Sequence, residues 1–386
     1  MKILADLKPS TWVEIDLDAI AHNYAQAHHL SKNILAVVKA DAYGHGAKEV
    51  ALLLDSLDVA FLGVSDVQEG TRLRSFGIRK PVLLFESTLE EHIPAIIEED
   101  LTPTVCTLDF AQKLNIFAKS AGKSVNVHVE VDTGMGRLGV SMEDALAVIQ
   151  TIGRMDHLTV EGIFTHFPVP ESDLAFTENQ IRQLSEVAAA LRKTGQEIPF
   201  VHAANSMGLI GYKAKALNLA RPGLMLYGLY PQESARPYIS LKPAMSVKSK
   251  VLFVKNVKKG SGLSYGRTFK APKDMTVATL AIGYNDGYPR ALSNKAAVLI
   301  GGLRCPVLGT VTMDQIMVDV SAVGEVAVGE EAVILGRQDK EEMTAEELAR
   351  EAGTISYEIV CNFGNRLQRN VRSKSSTFRS SAPRSS

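Results

Sequence analysis

Polar side chains stand where several short apolar runs of the sequence end. The run I-L-A-V-V-K ends at Lys39, and Tyr43 lies in the turn behind it. Later runs end at His166, at Asn205 and Ser206, and at Arg221-Pro222-Gly223. A lysine forms a Schiff base with an aldehyde, and small residues let backbone N–H groups approach a phosphate. The set suggests a cofactor with an aldehyde and a phosphate, and pyridoxal phosphate fits that description.

Lys39 also has a simpler interpretation, as a solvated strand terminus, which is the commoner fate of a lone lysine. In a barrel of alternating strands and helices, the carboxyl ends of the strands form the catalytic face. Phosphate is commonly bound there after strands seven and eight. Placement at such an end favours a functional Lys39, and spacing alone leaves the solvated alternative open.

The elements that would position these side chains alternate along the first part of the chain. Stretches with apolar residues at helical spacing separate eight short β-branched runs, at 34–39, 59–65, 81–86, 102–106, 124–131, 158–167, 200–205 and 217–224. Eight strand–helix repeats in series predict an α/β fold of the (β/α)8 TIM-type barrel class. We assign residues 12–238 to this cofactor-binding barrel.

The pattern changes after about Tyr238. Gly and Pro separate further strand-like runs at 245–254, 276–282, 296–300, 316–320 and 331–335, and a single helix is predicted at 344–352. This pattern favours a mostly antiparallel β domain over 239–372, with residues 1–11 as a candidate addition to it. Residues 373–386 lack apolar periodicity and are predicted to form a disordered tail.

Composition narrows the function classes. The chain has 386 residues, with 42 Lys plus Arg against 43 Asp plus Glu, so no basic excess indicates a nucleic-acid or membrane partner. Its three cysteines are scattered, which favours neither a disulfide framework nor a metal site. No apolar run approaches the roughly 20 residues that span a bilayer, and no secretory signal is recognised. We therefore expect a cytoplasmic protein.

Several segments resemble, in order, the motifs of the alanine racemase family, from about Trp12 to Asn370. The segment V-V-K-A-D-A-Y-G-H-G (37–46) resembles the cofactor-lysine signature of that family. The other matching segments are V-D-T-G-M-G-R-L-G (131–139), H-A-A-N-S (202–206), A-R-P-G-L-M-L-Y-G (220–228), S-Y-G-R-T (264–268), I-G-Y-N-D-G-Y-P-R (282–290), M-D-Q (313–315) and I-S-Y-E (355–358). The resemblance implies a pyridoxal-phosphate-dependent homodimer that interconverts L- and D-alanine and supplies D-alanine for peptidoglycan.

The resemblance also implies roles for individual residues. Lys39 would hold the cofactor and act as a base on one face of the substrate Cα, and Tyr265 of the partner subunit would act on the other. Two bases on opposite faces suit racemisation, since one removes the α-proton and the other returns it inverted. The implied cofactor-binding residues are Lys39, Tyr43, His166, Asn205, Ser206, Arg221, Gly223 and Tyr357. The implied substrate-binding residues are Arg137 and Met313, with Glu130, Asp314 and Tyr284 supporting the site.

Arg221 matches the family's partner for the pyridine nitrogen. Arginine can only donate hydrogen bonds, so it favours an unprotonated ring nitrogen. An unprotonated ring is a weaker electron sink, which should limit side reactions such as transamination. His166 either joins Arg221 to Tyr265 or is a core histidine bonded to backbone. Arg137 either meets the cofactor phenolate and substrate carboxylate or pairs with Asp132 at a helix start.

Glu130 departs from the family pattern, in which a lysine, often carbamylated, stands seven residues before the arginine equivalent to Arg137. In 125–131 the valines alternate with Asn126, His128 and Glu130, so the polar face is expected to turn into the barrel. Glu130 would then supply directly the negative charge beside Arg137. An exposed strand glutamate is the weaker alternative, because barrel strands are covered on both faces. No role is assigned to Arg366.

Other functions fit parts of the sequence. The segment G-M-G-R-L-G (134–139) formally matches a dinucleotide fingerprint, but it lacks the acidic residue about 20 positions further on and lies in the fifth repeat. A decarboxylase of the same plan would carry a cysteine where S-Y-G presents Tyr265. A carrier with the barrel alone would lack the β domain. A broad-specificity racemase also remains open, with the absent export signal against it.

Overall fold

The computed structural model describes residues 8–212, 216–364 and 366–373. Apart from Ser373, the predicted tail lies outside the described residues. Contacts group the chain into two units, and we call Ala21–Ala42 with Ala47–Leu241 the barrel unit. We call Met1–Ile20, Tyr43–Gly46 and Lys242–Ser386 the β unit. The domain boundaries given by the sequence stay a prediction.

A parallel sheet closes on itself in the barrel unit. Its barrel strands 1 to 7 are Leu35–Val37, Phe61–Val64, Val82–Ser87, Thr102–Val105, Val125–Asp132, Leu158–Phe164 and Phe200–His202. A further two-residue strand, Val140–Ser141, pairs with barrel strand 5. Residues 218–222 take the eighth place, because Leu219 bridges to His202 and Ala220 bridges to Ile34. The predicted (β/α)8 barrel is confirmed, with an eighth strand reduced to these bridges.

Helices follow the strands of the barrel unit, at Ala47–Asp55, Val67–Ser75, Ile93–Glu98, Leu108–Ser120, Ala145–Ile152, Leu174–Lys193 and Ser206–Gly211. Side-chain caps begin several of them: Asp66, Thr107 and Asp173 each accept a hydrogen bond from the N–H three residues on. Two short 3-10 turns, Leu224–Tyr227 and Glu233–Ala235, follow the eighth strand. Within the described ranges, no helix combines the length and apolar character that a membrane span requires.

Six antiparallel strands form a second closed barrel in the β unit, namely Met245–Val257, Met275–Leu280, Ala297–Ile300, Leu303–Leu308, Ile316–Asp319 and Glu331–Gln338. The ring closes because Met245–Val257 is long enough to pair with Glu331–Gln338 through its first half and with Met275–Leu280 through its second. The other elements are Gly262–Leu263, Phe269–Lys270, Glu341–Met343, Gln368–Arg372 and the helices Ala345–Ala352 and Ser356–Asn362. The mostly antiparallel domain is confirmed.

The strand Thr11–Asp16 belongs to the sheet of the β unit. It pairs antiparallel with Met245–Val257 and parallel with Gln368–Arg372. Val13 and Ile15 are buried while their neighbours are more exposed, which is the alternation of a half-buried strand. The sequence-based boundary placed residues 12–16 in the barrel domain, and the structure shows the helix Leu17–Leu30 directly after them.

Candidate active site

The chain makes a left-handed turn directly after barrel strand 1. Ala40, Asp41 and Ala42 have φ of 53, 54 and 55°, and Tyr43 has φ of 54°. Each such residue costs about 1–2 kcal/mol, because its Cβ crowds the following carbonyl. Lys39 opens this turn, with its Nζ 6.0 Å from the centre of the Phe85 ring. Strain of this kind persists only where other groups hold the backbone.

Two carboxylates of the barrel unit hold the turn. Glu69 accepts a hydrogen bond from Ala40 N at 2.7 Å with one oxygen and from Ser65 N at 2.8 Å with the other. Asp41 accepts one from Ala47 N at 2.9 Å. Bonds to charged acceptors contribute about 1.5–3 kcal/mol each, enough to offset the strain at Ala40. The backbone that presents Lys39 is therefore fixed by side chains, and sequence analysis did not single out Glu69.

The Arg221 guanidinium lies inside the barrel unit, 4% exposed. Its Nη1 donates to His202 Nδ1 at 2.8 Å. Its Nη2 faces Thr165 O, Ala203 O and His166 Nδ1 at 2.9, 3.1 and 3.2 Å. Its Nε has no hydrogen-bond partner among the described residues. Burial lowers the pKa of Arg221 to about 10, so the group stays charged at neutral pH and its Nε–H is available as a donor.

His166 lies against Arg221 and is neutral. Burial is the main reason that its pKa falls to about 3, and the charges of Arg221, Arg137 and Lys39 lower it further. Because Arg221 is the donor to Nδ1, the neutral ring carries its proton on Nε2. His166 can therefore offer one N–H to a second group.

Ser206 and Gly223 meet where barrel strand 7 and the eighth strand end. The buried Ser206 Oγ accepts hydrogen bonds from Gly223 N at 3.2 Å and from Met225 N at 3.3 Å. Its own proton is thus free to donate. Asn205 caps the helix Ser206–Gly211 by accepting from Gly208 N at 2.9 Å. A hydroxyl beside backbone N–H groups suits a phosphate oxygen.

Tyr43 and Tyr357 approach each other in the β unit. Their ring centres are 5.7 Å apart, with a tilt of 43°. Burial raises the pKa of Tyr43, so its hydroxyl stays protonated.

Three further predicted residues expose much of their side chains within this chain. Tyr265 is 73% exposed, Met313 52% and Tyr284 43%. Tyr265 begins the 3-10 turn Tyr265–Arg267, and Thr310 Oγ1 fixes that turn by donating to Tyr265 O at 2.9 Å. All of them lie in the β unit.

Asp314 is held by Arg366, whose Nη1 lies 2.9 Å from Asp314 Oδ1 and 3.6 Å from Asp286 Oδ1. Arg366 and Asp286 border a cavity of about 720 Å³ that Tyr284 also lines. Sequence analysis missed Arg366, because G-N-R-L-Q-R matches the family pattern only loosely. The sequence feature that could have indicated Arg366 is the pair of aspartates that it contacts, Asp286 and Asp314, which lie in the matching segments 282–290 and 313–315.

Glu130 points into the barrel unit, 3% exposed. Its Oε2 has no hydrogen-bond partner among the described residues, and no ion pair of Glu130 is found there. Burial raises its pKa, against the opposing charges of Arg221 and Arg137. Arg137 is exposed. The expected close pair between Glu130 and Arg137 is therefore not formed in this structure, and the largest charge influence on Glu130 comes from Arg221.

The glycine-rich segment 134–139 wraps around Asp132. The N–H groups of Gly134 and Gly136 both donate to Asp132 Oδ1, at 2.9 and 3.0 Å. Those N–H groups are thus already used, whereas a dinucleotide fingerprint must offer its N–H groups to a pyrophosphate. The segment is a closed loop after barrel strand 5.

Comparisons with known proteins cover both units. Residues 15–231 match the family model for the alanine racemase N-terminal domain, and residues 244–371 match that for the C-terminal domain. An alanine racemase of Halothermothrix orenii is 38% identical over 368 residues, or 94% of this chain and 97% of the relative. The solved alanine racemase of Clostridium difficile 630 has a TM-score of 0.89 at 36% identity, over 95% and 97% of the two chains.

A third match is the alanine racemase of Bartonella henselae, solved with covalently bound pyridoxal phosphate. It has a TM-score of 0.84 at 25% identity, over 95% of this chain and 100% of its own. Family models, relatives and solved structures agree over nearly the whole length. The chain belongs to the alanine racemase family of isomerases.

Proposed function

We propose that this chain interconverts L- and D-alanine with pyridoxal phosphate held on Lys39. Interconversion of the alanine enantiomers is the activity of its family, and the Bartonella henselae relative carries the cofactor covalently. The observation that carries the site assignment is the buried Arg221, whose Nε–H has no partner among the described residues.

The residues present fit this cofactor. Lys39 supplies the amine, and Arg221 has a spare donor for the ring nitrogen. The Ser206 hydroxyl, which keeps its own proton to donate, suits the phosphate, and by resemblance Gly223, Tyr43 and Tyr357 complete the phosphate-binding group. When bound, the cofactor would withdraw electrons from the substrate Cα and so acidify its α-proton.

Arg221 sets the electronic character of the site. Its guanidinium is charged at neutral pH and has no acceptor, so any hydrogen bond to the ring nitrogen leaves that nitrogen unprotonated. The bonds to His202, Thr165 and Ala203 prevent it from turning away. Arg221 thus favours return of the proton to Cα over its delivery elsewhere.

Proton transfer needs a base on each face of Cα. Lys39 takes or returns the proton on one face, and Tyr265 of the partner subunit does so on the other. The exposure of Tyr265 and Met313 within one chain supports this homodimer, because catalytic groups are normally sheltered from water. Met313 of the partner subunit and Arg137 would then meet the substrate carboxylate.

Two experiments test the assignment. Borohydride reduction of the purified enzyme, followed by peptide mapping, should place the pyridoxyl group on Lys39; another lysine would refute the site. Mixing Lys39→Ala with Tyr265→Ala chains should restore part of the activity, because a mixed dimer retains one intact site. No recovery despite proven subunit exchange would contradict the shared site.

We further propose a cytoplasmic enzyme that supplies D-alanine for peptidoglycan. Cys106, Cys305 and Cys361 are scattered along the chain rather than set in a paired pattern, which supports a reducing compartment. A bacterial strain without its own racemases should grow without added D-alanine once it expresses this chain. A chiral assay with L-serine and other amino acids separates alanine racemisation from a broad-specificity racemase.

A further inference from the structure

Arg221 is the end of a chain of buried polar side chains inside the barrel unit. Its Nη1 lies 2.8 Å from His202 Nδ1, and His202 Nε2 lies 2.8 Å from His128 Nδ1. His128 Nε2 then lies 3.5 Å from Glu161 Oε2. We call these four side chains the Arg221–Glu161 relay. It leads from the catalytic end of the barrel to the middle of barrel strand 6.

The direction of the hydrogen bonds in the relay follows from the chemistry of arginine. A guanidinium only donates, so His202 Nδ1 must accept and the proton of neutral His202 must sit on Nε2. That N–H donates to His128 Nδ1, which places the proton of neutral His128 on its Nε2. Both histidines are therefore confined to one tautomer, and the last N–H in the series faces Glu161.

The contact at the end of the relay joins two atoms that have no other partner. Neither His128 Nε2 nor Glu161 Oε2 makes a hydrogen bond within the described ranges, although both atoms are buried. Buried polar atoms are rarely left unpaired, and these two are separated by only 3.5 Å. The carboxylate of Glu161 is placed to complete the series, and its side chain is 19% exposed.

The surroundings of the relay exclude water. His128 lies against Phe61 and Phe200, with ring centres 5.3 and 6.3 Å apart, and His202 stacks on Phe164 at 4.8 Å. Gly162 allows the close approach of His128 to barrel strand 6, because a Cβ there would lie 2.5 Å from His128 Nδ1.

The charge state of the two histidines agrees with this direction. Burial, followed by the charge of Arg221, lowers the pKa of His202 well below its ordinary value. Burial also lowers the pKa of His128, despite the opposing influence of Glu161. Both rings are neutral at pH 7, so the relay holds one positive end and one negative end with two polarised imidazoles between them.

We propose that Glu161 is a positioning residue for racemisation, acting through His128 and His202 to fix Arg221 as a charged donor. The Glu161 carboxylate orients the Nε2–H of His128, and this fixes the direction of the His128 Nδ1 lone pair toward His202 Nε2–H. His202 is thereby held with its Nδ1 lone pair directed at Arg221 Nη1. The inference rests on the proposed role of Arg221 toward the cofactor. It adds a residue that touches neither cofactor nor substrate.

The test compares Glu161→Leu, which removes the acceptor, with Glu161→Gln, which keeps an acceptor oxygen without the charge. In the purified holoenzyme with isotope-labelled histidine, nitrogen NMR should find His128 and His202 neutral and protonated on Nε2. Glu161→Leu should shift the resonances of both rings and lower kcat about tenfold, which corresponds to losing one hydrogen bond in a charged network. KM for L-alanine should change little, and Glu161→Gln should recover much of kcat.

Thr159→Val is the control, because Thr159 lies on the same barrel strand 6 two residues earlier and is exposed. It should leave the histidine resonances and kcat unchanged. A charged ring, or a proton on Nδ1 of either histidine, would overturn the direction of the relay. Unchanged resonances and kcat in Glu161→Leu, or equal losses in the Leu and Gln variants, would overturn the role of Glu161. The tautomers are measured independently of catalysis, so failure of the racemase assignment itself would be recognised separately.

Discussion

The buried carboxylate of Glu130 gives a prediction in which stability and activity change in opposite directions. Glu130 is 3% exposed, its Oε2 has no hydrogen-bond partner among the described residues, and burial raises its pKa. A buried polar atom without a partner costs about 1–3 kcal/mol. Glu130→Gln removes the charge and keeps the shape. We therefore expect the free energy of unfolding to increase by about 1–2 kcal/mol at pH 7.

The pH dependence of this gain provides an internal check. A carboxyl group with a raised folded-state pKa favours the folded state below its unfolded value of 4.5, and that contribution is lost as the pH rises. The difference between the wild type and Glu130→Gln should consequently vanish near pH 4 and grow toward neutrality. Turnover should fall at the same time, because the negative charge near Arg221 and Arg137 is lost, and bicarbonate should not restore it.

Denaturant unfolding of the cofactor-free protein, followed across pH, measures the stability, and a chiral assay measures the turnover. Glu143→Gln is a suitable control, because this exposed carboxylate should change stability by less than about 0.5 kcal/mol. A loss of about 3–5 kcal/mol in Glu130→Gln would refute the reasoning, since that is the cost of breaking a buried ion pair. It would mean that Glu130 is paired with an arginine in solution.

Other substitutions test the remaining features of the site. Folding lowers the pKa of His166 from 6.5 to about 3, so the free energy of unfolding should fall as the pH drops below 6.5, by about 2 kcal/mol at pH 5. His166→Asn should make the free energy of unfolding depend less on pH in this range, as measured by acid unfolding curves. Ala40→Gly should raise the free energy of unfolding by about 0.5–1 kcal/mol, because relief of the left-handed backbone strain outweighs the entropic cost of a more flexible unfolded chain. A lower free energy of unfolding would show that Ala40 is not strained. Glu69→Ala should lower the free energy of unfolding by about 3 kcal/mol, because two hydrogen bonds are lost, and should weaken binding of pyridoxal phosphate in equilibrium dialysis. Normal cofactor binding in this variant would show that the left-handed turn does not depend on Glu69. Gly44→Ala should lose about 2 kcal/mol or more, since φ is +79° and the new Cβ would meet Val360 O at 2.3 Å; an unchanged denaturation midpoint would contradict this.

The fold was largely predictable because its periodicity is local. The barrel strands are short β-branched runs between amphipathic stretches, and each one can be recognised from its own residues. The eighth strand was predicted over 217–224, but the structure retains bridges at Leu219 and Ala220 alone. No strand was predicted at Thr11–Asp16, because its partners lie 230 or more residues away along the chain. Pairing at such distance leaves no trace in a local pattern.

The candidate site was predictable in part, for a related reason. Lys39, Ser206 and Arg221 stand at strand ends, so topology alone brings them to one face of the barrel unit. Glu69 acts by accepting hydrogen bonds from two backbone N–H groups. Every residue type except proline has such a group, so the sequence gives no sign of this role. The same holds for four consecutive left-handed residues without glycine, since intrinsic preference opposes that conformation. Positions where sequence reasoning fails in this way are typical of strained functional sites.

The charges inside the barrel unit explain why two carboxylates can surround one buried guanidinium. Glu130 influences Arg221 directly, yet it lacks a hydrogen-bond partner among the described residues and its pKa is raised. Glu161 is connected to Arg221 through two neutral imidazoles, by contacts of 2.8, 2.8 and 3.5 Å. Burial opposes the charge of Glu130, as its raised pKa shows, although that charge acts directly on Arg221. We expect Glu130 to pair with Arg137 once cofactor and substrate are bound, because a carboxylate without a fixed partner can accept that guanidinium without breaking an existing bond.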